Sequence, residues 1–186
     1  LDDYAHTIEA FIAMYQITFD AVWLKDAEKM CTYVLEHFQA ENSKMFFFTE
    51  KSTTLIARKM EINDNVIPAS NSVMAHALFD LGKLSNQASF IKIAEQQLAN
   101  VYDGMENYGS GYSNWARLAF KFIDPFYTLD FSGEAALELS NKVKKHYLPG
   151  TIFTYKTAEN TPTKCNVCYE GTCLMPTDDV SKILEL

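Results

Sequence analysis

Hydrophobic positions in the first hundred residues recur with helical spacing. Tyr4, Ile8, Phe11, Ile12 and Tyr15 fall at i, i+4, i+7, i+8 and i+11, the one-sided stripe of a packed helix. Asp2 or Asp3 stands where a carboxylate can accept from the first-turn N–H groups. After a break at Thr18–Asp20, Leu24, Ala27, Cys31, Val34, Leu35 and Phe38 form a second stripe that ends near Glu41-Asn42. A third helix follows Pro68, with Met74, Ala77, Leu78 and Leu81 on its face. The fourth carries Phe90, Ala94, Leu98, Val101 and Tyr102 and stops at Gly104.

These four helices repeat as two hairpins. Trp23-Leu24-Lys25-Asp26-Ala27-Glu28 reappears 67 residues on as Phe90-Ile91-Lys92-Ile93-Ala94-Glu95. The same offset lays Ala10-Phe11-Ile12 on Ala77-Leu78-Phe79. Any two amphipathic helices share a period, but two pairs in one register point to stacked hairpins, as in a solenoid or an α/α toroid. Phe19-Asp20 and Ser85-Asn86 are the short turns inside the hairpins, whereas Asn42 to Ile67 is a long connection between them. Connections beyond about 12–15 residues are usually functional or disordered. Its runs Met45-Phe46-Phe47-Phe48-Thr49 and Leu55–Ile62 have strand character and predict a β-hairpin flap. A pocket is expected at this elaborated end, near Tyr4, Asp64 and Asn71.

The second half is less regular. Tyr108 to Tyr112 is a Gly-rich turn, and Ser113 or Asn114 can cap a short helix that Asp124-Pro125 stops. Phe126 to Phe131 reads as a strand, Ser132-Gly133 opens a helix over Glu134–Tyr147, and Thr151 to Tyr155 reads as another strand. Such a small βαβ-like unit pairs its strands in parallel. Val180 to Leu186 predicts a short closing helix. The expected organisation is two helical hairpins over 1–105, then further helices, the βαβ-like element and a Cys-containing tail over 106–186.

Composition narrows the function classes. With 48% hydrophobic residues, 7 Gly and 5 Pro, the chain has ample apolar surface to bury. Sixteen basic against 24 acidic side chains give a formal charge of −8, which disfavours nucleic acid and anionic membrane as partners. No apolar run approaches the ~18 residues of a membrane span. The sequence starts at Leu1 without a signal-peptide pattern, so a cytoplasmic piece of a larger protein is expected.

Candidate chemistry is sparse. Cys165, Cys168 and Cys173 form C-x2-C-x4-C, a spacing open to zinc, to a redox dithiol or to structural thiols. The missing fourth ligand, with His146 the closest candidate, favours reduced structural thiols and no metal. His6 and His76 lie on the first and third helices, and His6 is a candidate proton-transfer group. Asp2, Asp3 and Asp64 offer carboxylates for the pair that glycoside hydrolysis requires, with helix capping the stronger reading for Asp2. The 10 Tyr and 13 Phe suit a sugar-binding cleft, although most fall at core spacing. No P-loop, dinucleotide fingerprint, nucleophile elbow or H-E-x-x-H motif occurs, and no cofactor is expected.

Several segments together resemble the C-terminal region of the thioredoxin-domain proteins that include the spermatogenesis-associated thioredoxin-like proteins and their bacterial relatives. The resemblance rests on Leu1-Asp2-Asp3-Tyr4-Ala5, Tyr15–Asp20, Phe46-Phe47-Phe48-Thr49 and Asp64–Val73. It continues through Ser132-Gly133, Tyr147-Leu148-Pro149, Cys168 with Cys173, and Pro176-Thr177-Asp178, so it spans nearly the whole chain. It implies a thioredoxin-like domain elsewhere in the full-length protein. It also implies a mainly-α fold here, part of an (α/α)6 toroid similar to N-acylglucosamine 2-epimerases and six-hairpin glycosidases. The family's Asp-Tyr-Ala motif falls on Asp3 and Tyr4, and its Pro-Ser-Gly-Asn-Ser motif on Pro68, Asn71 and Ser72. This sequence departs from it at Asn65, at Ala69-Ser70 and in the extra Cys165. The expected function is that of a carbohydrate-active protein, epimerase-, isomerase- or glycosidase-like. Asp3, His6 and Asp64 would be catalytic, and Tyr4, Asn71 and Ser72 would bind a sugar-like ligand. The alternative is a non-enzymatic recognition module for the thioredoxin-like domain. A partial toroid would also expose apolar edges and favour a homodimer.

Overall fold

A computed structural model describes residues 1–52, 54–156 and 161–185. The chain forms two compact units, one of Leu1–Tyr15 and Asp20–Phe120, the other of Gln16–Phe19 and Lys121–Leu186.

The first unit is helical. Helices α1 (Asp2–Thr18), α2 (Ala21–His37), α3 (Ser70–Leu84) and α4 (Ala88–Asn107) follow the four stripes; a 3₁₀ turn at Gly109–Tyr112 leads into α5 (Ser113–Ile123). Twelve of the fifteen residues of α3 are buried, so this helix is wrapped on all sides while its neighbours bury one stripe each. Gly82 lets α3 approach α4 closely, because a Cβ there would stand 2.6 Å from Ile91 Cγ1. The 67-residue repeat reappears in backbone detail. Phe19 and Asn86, both in the left-handed region at φ 56° and 55°, break the two hairpins at equivalent positions. Asn adopts this conformation readily, whereas for Phe it costs about 1–2 kcal/mol. Phe19 offsets that cost by burial against Phe131 and Tyr155.

The expected β-flap does not form. Among described residues 42–67 there is no strand, and Phe46 makes an isolated bridge to Gln39. The two apolar runs meet through one backbone bond, Phe48 N to Lys59 O at 2.7 Å, and through the Arg58 guanidinium, which donates to Thr49 O. Side chains of the helices take the place of a partner strand, so the runs have strand composition without a ladder.

The second unit overturns the expectation of a mainly-α partial toroid. Its centre is a four-stranded mixed sheet of order β2-β1-β3-β4, and the chain as a whole is α/β. Strands β1 (Tyr127–Ser132) and β2 (Thr151–Lys156) pair in parallel across α6 (Ala136–Val143), Tyr127 opposite Thr151 through Ser132 opposite Lys156. Strand β3 (Lys164–Tyr169) pairs antiparallel on the other side of β1, and β4 (Thr172–Cys173) returns along it. Glu170 and Gly171, both at positive φ, make the two-residue turn whose twist suits a hairpin. The sequence 164–173 reads as a cysteine motif rather than a strand because Lys164, Asn166 and Glu170 interrupt it. Its inward positions, Cys165 and Val167, nevertheless alternate at period two. Those residues, with Leu129, Phe131, Leu139, Val143 and Ile183, form the core of this unit under α6 and α7 (Val180–Ile183). Helix α6 is shorter than expected, and the closing helix stops at Ile183; Leu186 lies outside the described residues.

Candidate functional site

Three of the expected site residues are consumed by structure. Asp64 is buried at 6% exposure. Its Oδ1 accepts from Ala69 N at 2.9 Å and lies 2.9 Å from the Ser72 hydroxyl, while Oδ2 accepts from Asn114 N at 2.7 Å. The Ser72 hydroxyl in turn accepts from Asn114 Nδ2 at 3.0 Å. Asn71 copies a strand edge: its Oδ1 accepts from Phe46 N, and its Nδ2 donates to Phe46 O and Glu61 O. Trp115 Nε1 adds a bond to Ile62 O. Together these side chains staple the long connection to the starts of α3 and α5. An Asp whose oxygens take two backbone N–H groups and a hydroxyl is held as a cap.

The α1 candidates point elsewhere. Asp3 is exposed, and its backbone carbonyl accepts from the Thr7 hydroxyl. His6 is exposed too, its ring 3.6 Å from Asp2 Oδ1 and 3.8 Å from Glu9 Oε2. At 3.6 residues per turn His6 stands about 200° round the helix from Tyr4. No described contact joins Asp3 or His6 to Asp64. His76 is buried, its Nε2 2.9 Å from Asn114 O.

Tyr4 faces a cavity. A groove of about 430 Å³ lies between α1 and α2, walled by Tyr4, Phe11, Met30 and Tyr33. Asp26, Lys29, Thr32 and Glu36 line it as well, which gives an apolar floor with a polar rim. The Tyr4 and Tyr33 rings stack with centroids 5.4 Å apart and 20° between planes, and Tyr33 stacks on His37 at 4.2 Å. Glu50 closes the cluster, 3.4 Å from His37 Nδ1 and hydrogen-bonded to the Tyr33 phenol. Desolvation first, and then the Glu50 carboxylate, hold that phenol above the ordinary tyrosine range, so at neutral pH it is a donor.

Sequence reasoning missed Tyr33, His37 and Glu50. A signal was present on α2: Asp26, Met30, Tyr33 and His37 recur at i, i+4, i+7 and i+11, one residue behind the buried stripe Ala27, Cys31, Val34 and Phe38. A second aromatic stripe beside a complete core stripe is surplus to packing. Glu50 lies in the long connection and carries no pattern.

The leading reading of the cysteines as reduced structural thiols holds for one of the three. Cys168 and Cys173, opposite each other on β3 and β4, form a disulfide. Cys165 and the distant Cys31 are buried free thiols, each pushed up to about 12 by burial. Among the described residues no three His, Cys, Asp or Glu side chains are placed to hold a metal ion. No helix among them is long and apolar enough to cross a membrane. No family model matches the chain, and no curated protein matches it in sequence.

Proposed function

We propose that the chain binds a sugar-like, polyhydroxylated small molecule in the α1–α2 groove and acts on it by proton transfer, in the manner of an isomerase or epimerase. The observation that carries this reading is the stacked Tyr4–Tyr33 pair on the wall of an apolar groove with carboxylates at its rim. The faces of sugar rings pack on such aromatic surfaces, while their hydroxyls need acceptors such as Asp26 and Glu36. Turning its one hydrogen from Glu50 to a ligand oxygen, the Tyr33 phenol donates to the ligand and leaves the Glu50 carboxylate to accept a proton.

Hydrolysis is the weaker reading. The two carboxylates on the groove rim, Asp26 and Glu36, stand ten residues apart on one helix. That is about 15 Å at 1.5 Å per residue, beyond the ~5–9.5 Å that separates glycosidase carboxylates.

The test is calorimetric titration with a panel of neutral aldoses and ketoses, followed by deuterium exchange from heavy water beside the carbonyl of any sugar that binds. Tyr4→Ala and Tyr33→Ala are each expected to weaken binding tenfold or more. Tyr33→Phe is expected to bind and not exchange, and His6→Ala to behave as wild type. Undiminished binding by both alanine variants would remove the groove from consideration.

A further inference from the structure

The sheet of the second unit has two unlike faces. Alternation along β1 sends Leu129 and Phe131 into the core and leaves Asp130 and Ser132 on the opposite side. In register, Ser132 stands between Lys156 on β2 and Lys164 on β3, so these three residues make one row across the sheet. The next row along the strands is Thr154, Asp130 and Asn166. Asp130 is 3% exposed, accepts from the Thr154 hydroxyl at 3.0 Å and is ion-paired with Lys156. Its charge is met.

The outer row is not satisfied in the same way. Ser132 is 6% exposed, and its hydroxyl is buried without a hydrogen-bond partner among the described residues. Native proteins keep few such groups, because a desolvated hydroxyl with no partner loses its bonds to water for nothing. Among the described residues Lys164 has no carboxylate partner. Lys156 spends one of its three donors on Asp130 and is otherwise exposed. The row lies at the carboxyl end of the parallel β1–β2 pair, the edge at which open α/β sheets receive ligands. It is also held in place. Gly133, at φ 94°, lies so close to the chain before β3 that a Cβ would stand 2.6 Å from Thr163 Cα, and the Thr163 hydroxyl accepts from Ala135 N at 3.0 Å.

We propose that the Lys156–Ser132–Lys164 row is a binding site for a phosphate group, free or carried on a small-molecule ester. Two ammonium groups and a hydroxyl in line supply three donors to a tetrahedral oxyanion, and charge-assisted bonds of this kind are the strong ones. After subtraction of Asp130 the two lysines leave a net positive charge. A dianionic phosphate is drawn to it more strongly than a singly charged carboxylate. Residues of the second unit carry this site, and it stands or falls independently of the groove.

The experiment is titration of the full chain with inorganic phosphate, glycerol phosphate and acetate at low ionic strength, followed through backbone amide resonances. Saturable shifts centred on residues 132, 156 and 164 are expected with either phosphate, and the tighter of the two names the source. Acetate should bind at least tenfold more weakly. Lys164→Gln and Ser132→Ala should each weaken phosphate at least fivefold. Ser132→Ala deletes an unpartnered hydroxyl and is expected to fold at least as stably as wild type, which keeps a loss of binding separate from a loss of fold. No saturable phosphate binding, equal binding of acetate, or wild-type affinity in both variants would overturn the proposal.

Discussion

Around Asp64 every oxygen is occupied, whereas around Tyr33 the rings border open space. Both clusters lie in the helical unit, and both are built from residue types that do chemistry elsewhere. The difference is commitment. Asn71 satisfies buried backbone groups of a segment that forms no strand, and Asp64 and Ser72 tie the starts of α3 and α5 together, so their polarity serves the fold. Tyr4 and Tyr33 stack on one another and also line a groove.

The contrast predicts its largest effect at Asp64. Asp64→Ala strands two backbone N–H groups, while the Ser72 hydroxyl keeps Ala69 O as acceptor, and at about 1–3 kcal/mol for each buried orphan the expected loss is about 4 kcal/mol in urea unfolding. Sugar affinity measured well below the unfolding midpoint should be unchanged. A variant that keeps its stability and loses the ligand would reverse the two roles.

A second contrast lies among the cysteines. Cys168 and Cys173 close a loop of six residues, and so short a loop restricts the unfolded chain little. Reduction is expected to cost about 2 kcal/mol by loop-closure entropy. Cys31 and Cys165 should stay unreactive toward a thiol reagent at pH 8, because burial holds both as protonated thiols. Thiol titration of native and denatured protein, with and without reductant, counts the two classes. Four thiols in denatured, unreduced protein would mean that the bridge is absent.

A smaller effect is expected at the groove. Tyr4→Ala and Tyr33→Ala each remove half of the stacked platform, and binding should weaken by tenfold or more, at least about 1.4 kcal/mol. The fold should tolerate both changes because both rings are only half-buried. His6→Ala on the far side of α1 is the control.

How far these contrasts could be read from sequence depends on the range of the interactions involved. The four amphipathic helices and the turns at Phe19 and Asn86 follow from local period, and the parallel β1–β2 pair from two strand-like runs about a helix. Strand β3 did not follow. Its inward residues are a cysteine and a valine, and the partner that makes them a strand lies more than thirty residues earlier. The long connection failed for the converse reason: strand-like residues stay irregular because Asn71 and Trp115, outside that connection, take hydrogen bonds of Phe46, Glu61 and Ile62. At the site, Tyr4 was legible from its helix. Glu50 was not, since nothing local distinguishes it from any exposed loop glutamate.

The weakest expected effect tests commitment at a single charge. Lys144 donates to Gln16 O and to the Ser140 hydroxyl, and its ammonium lies 4.7 Å over the Phe19 ring and 5.3 Å over that of Phe153. Burial lowers it to about 8. In the unfolded chain a lysine titrates near its ordinary value of about 10.4. Between these values the unfolded state holds a proton that the folded state has released, so stability rises with pH through this window. Below about pH 8 both states are charged, and the folded one carries the desolvation penalty. Urea midpoints at pH 7.5 and 9.5 should therefore show wild type gaining on Lys144→Gln as pH rises. Taking the difference between the two proteins cancels tyrosine titration and leaves the lysine. A flat difference would mean that the carbonyl and the two rings hold this ammonium as well as water does, which would place Lys144 with Asp64 among the fully committed groups.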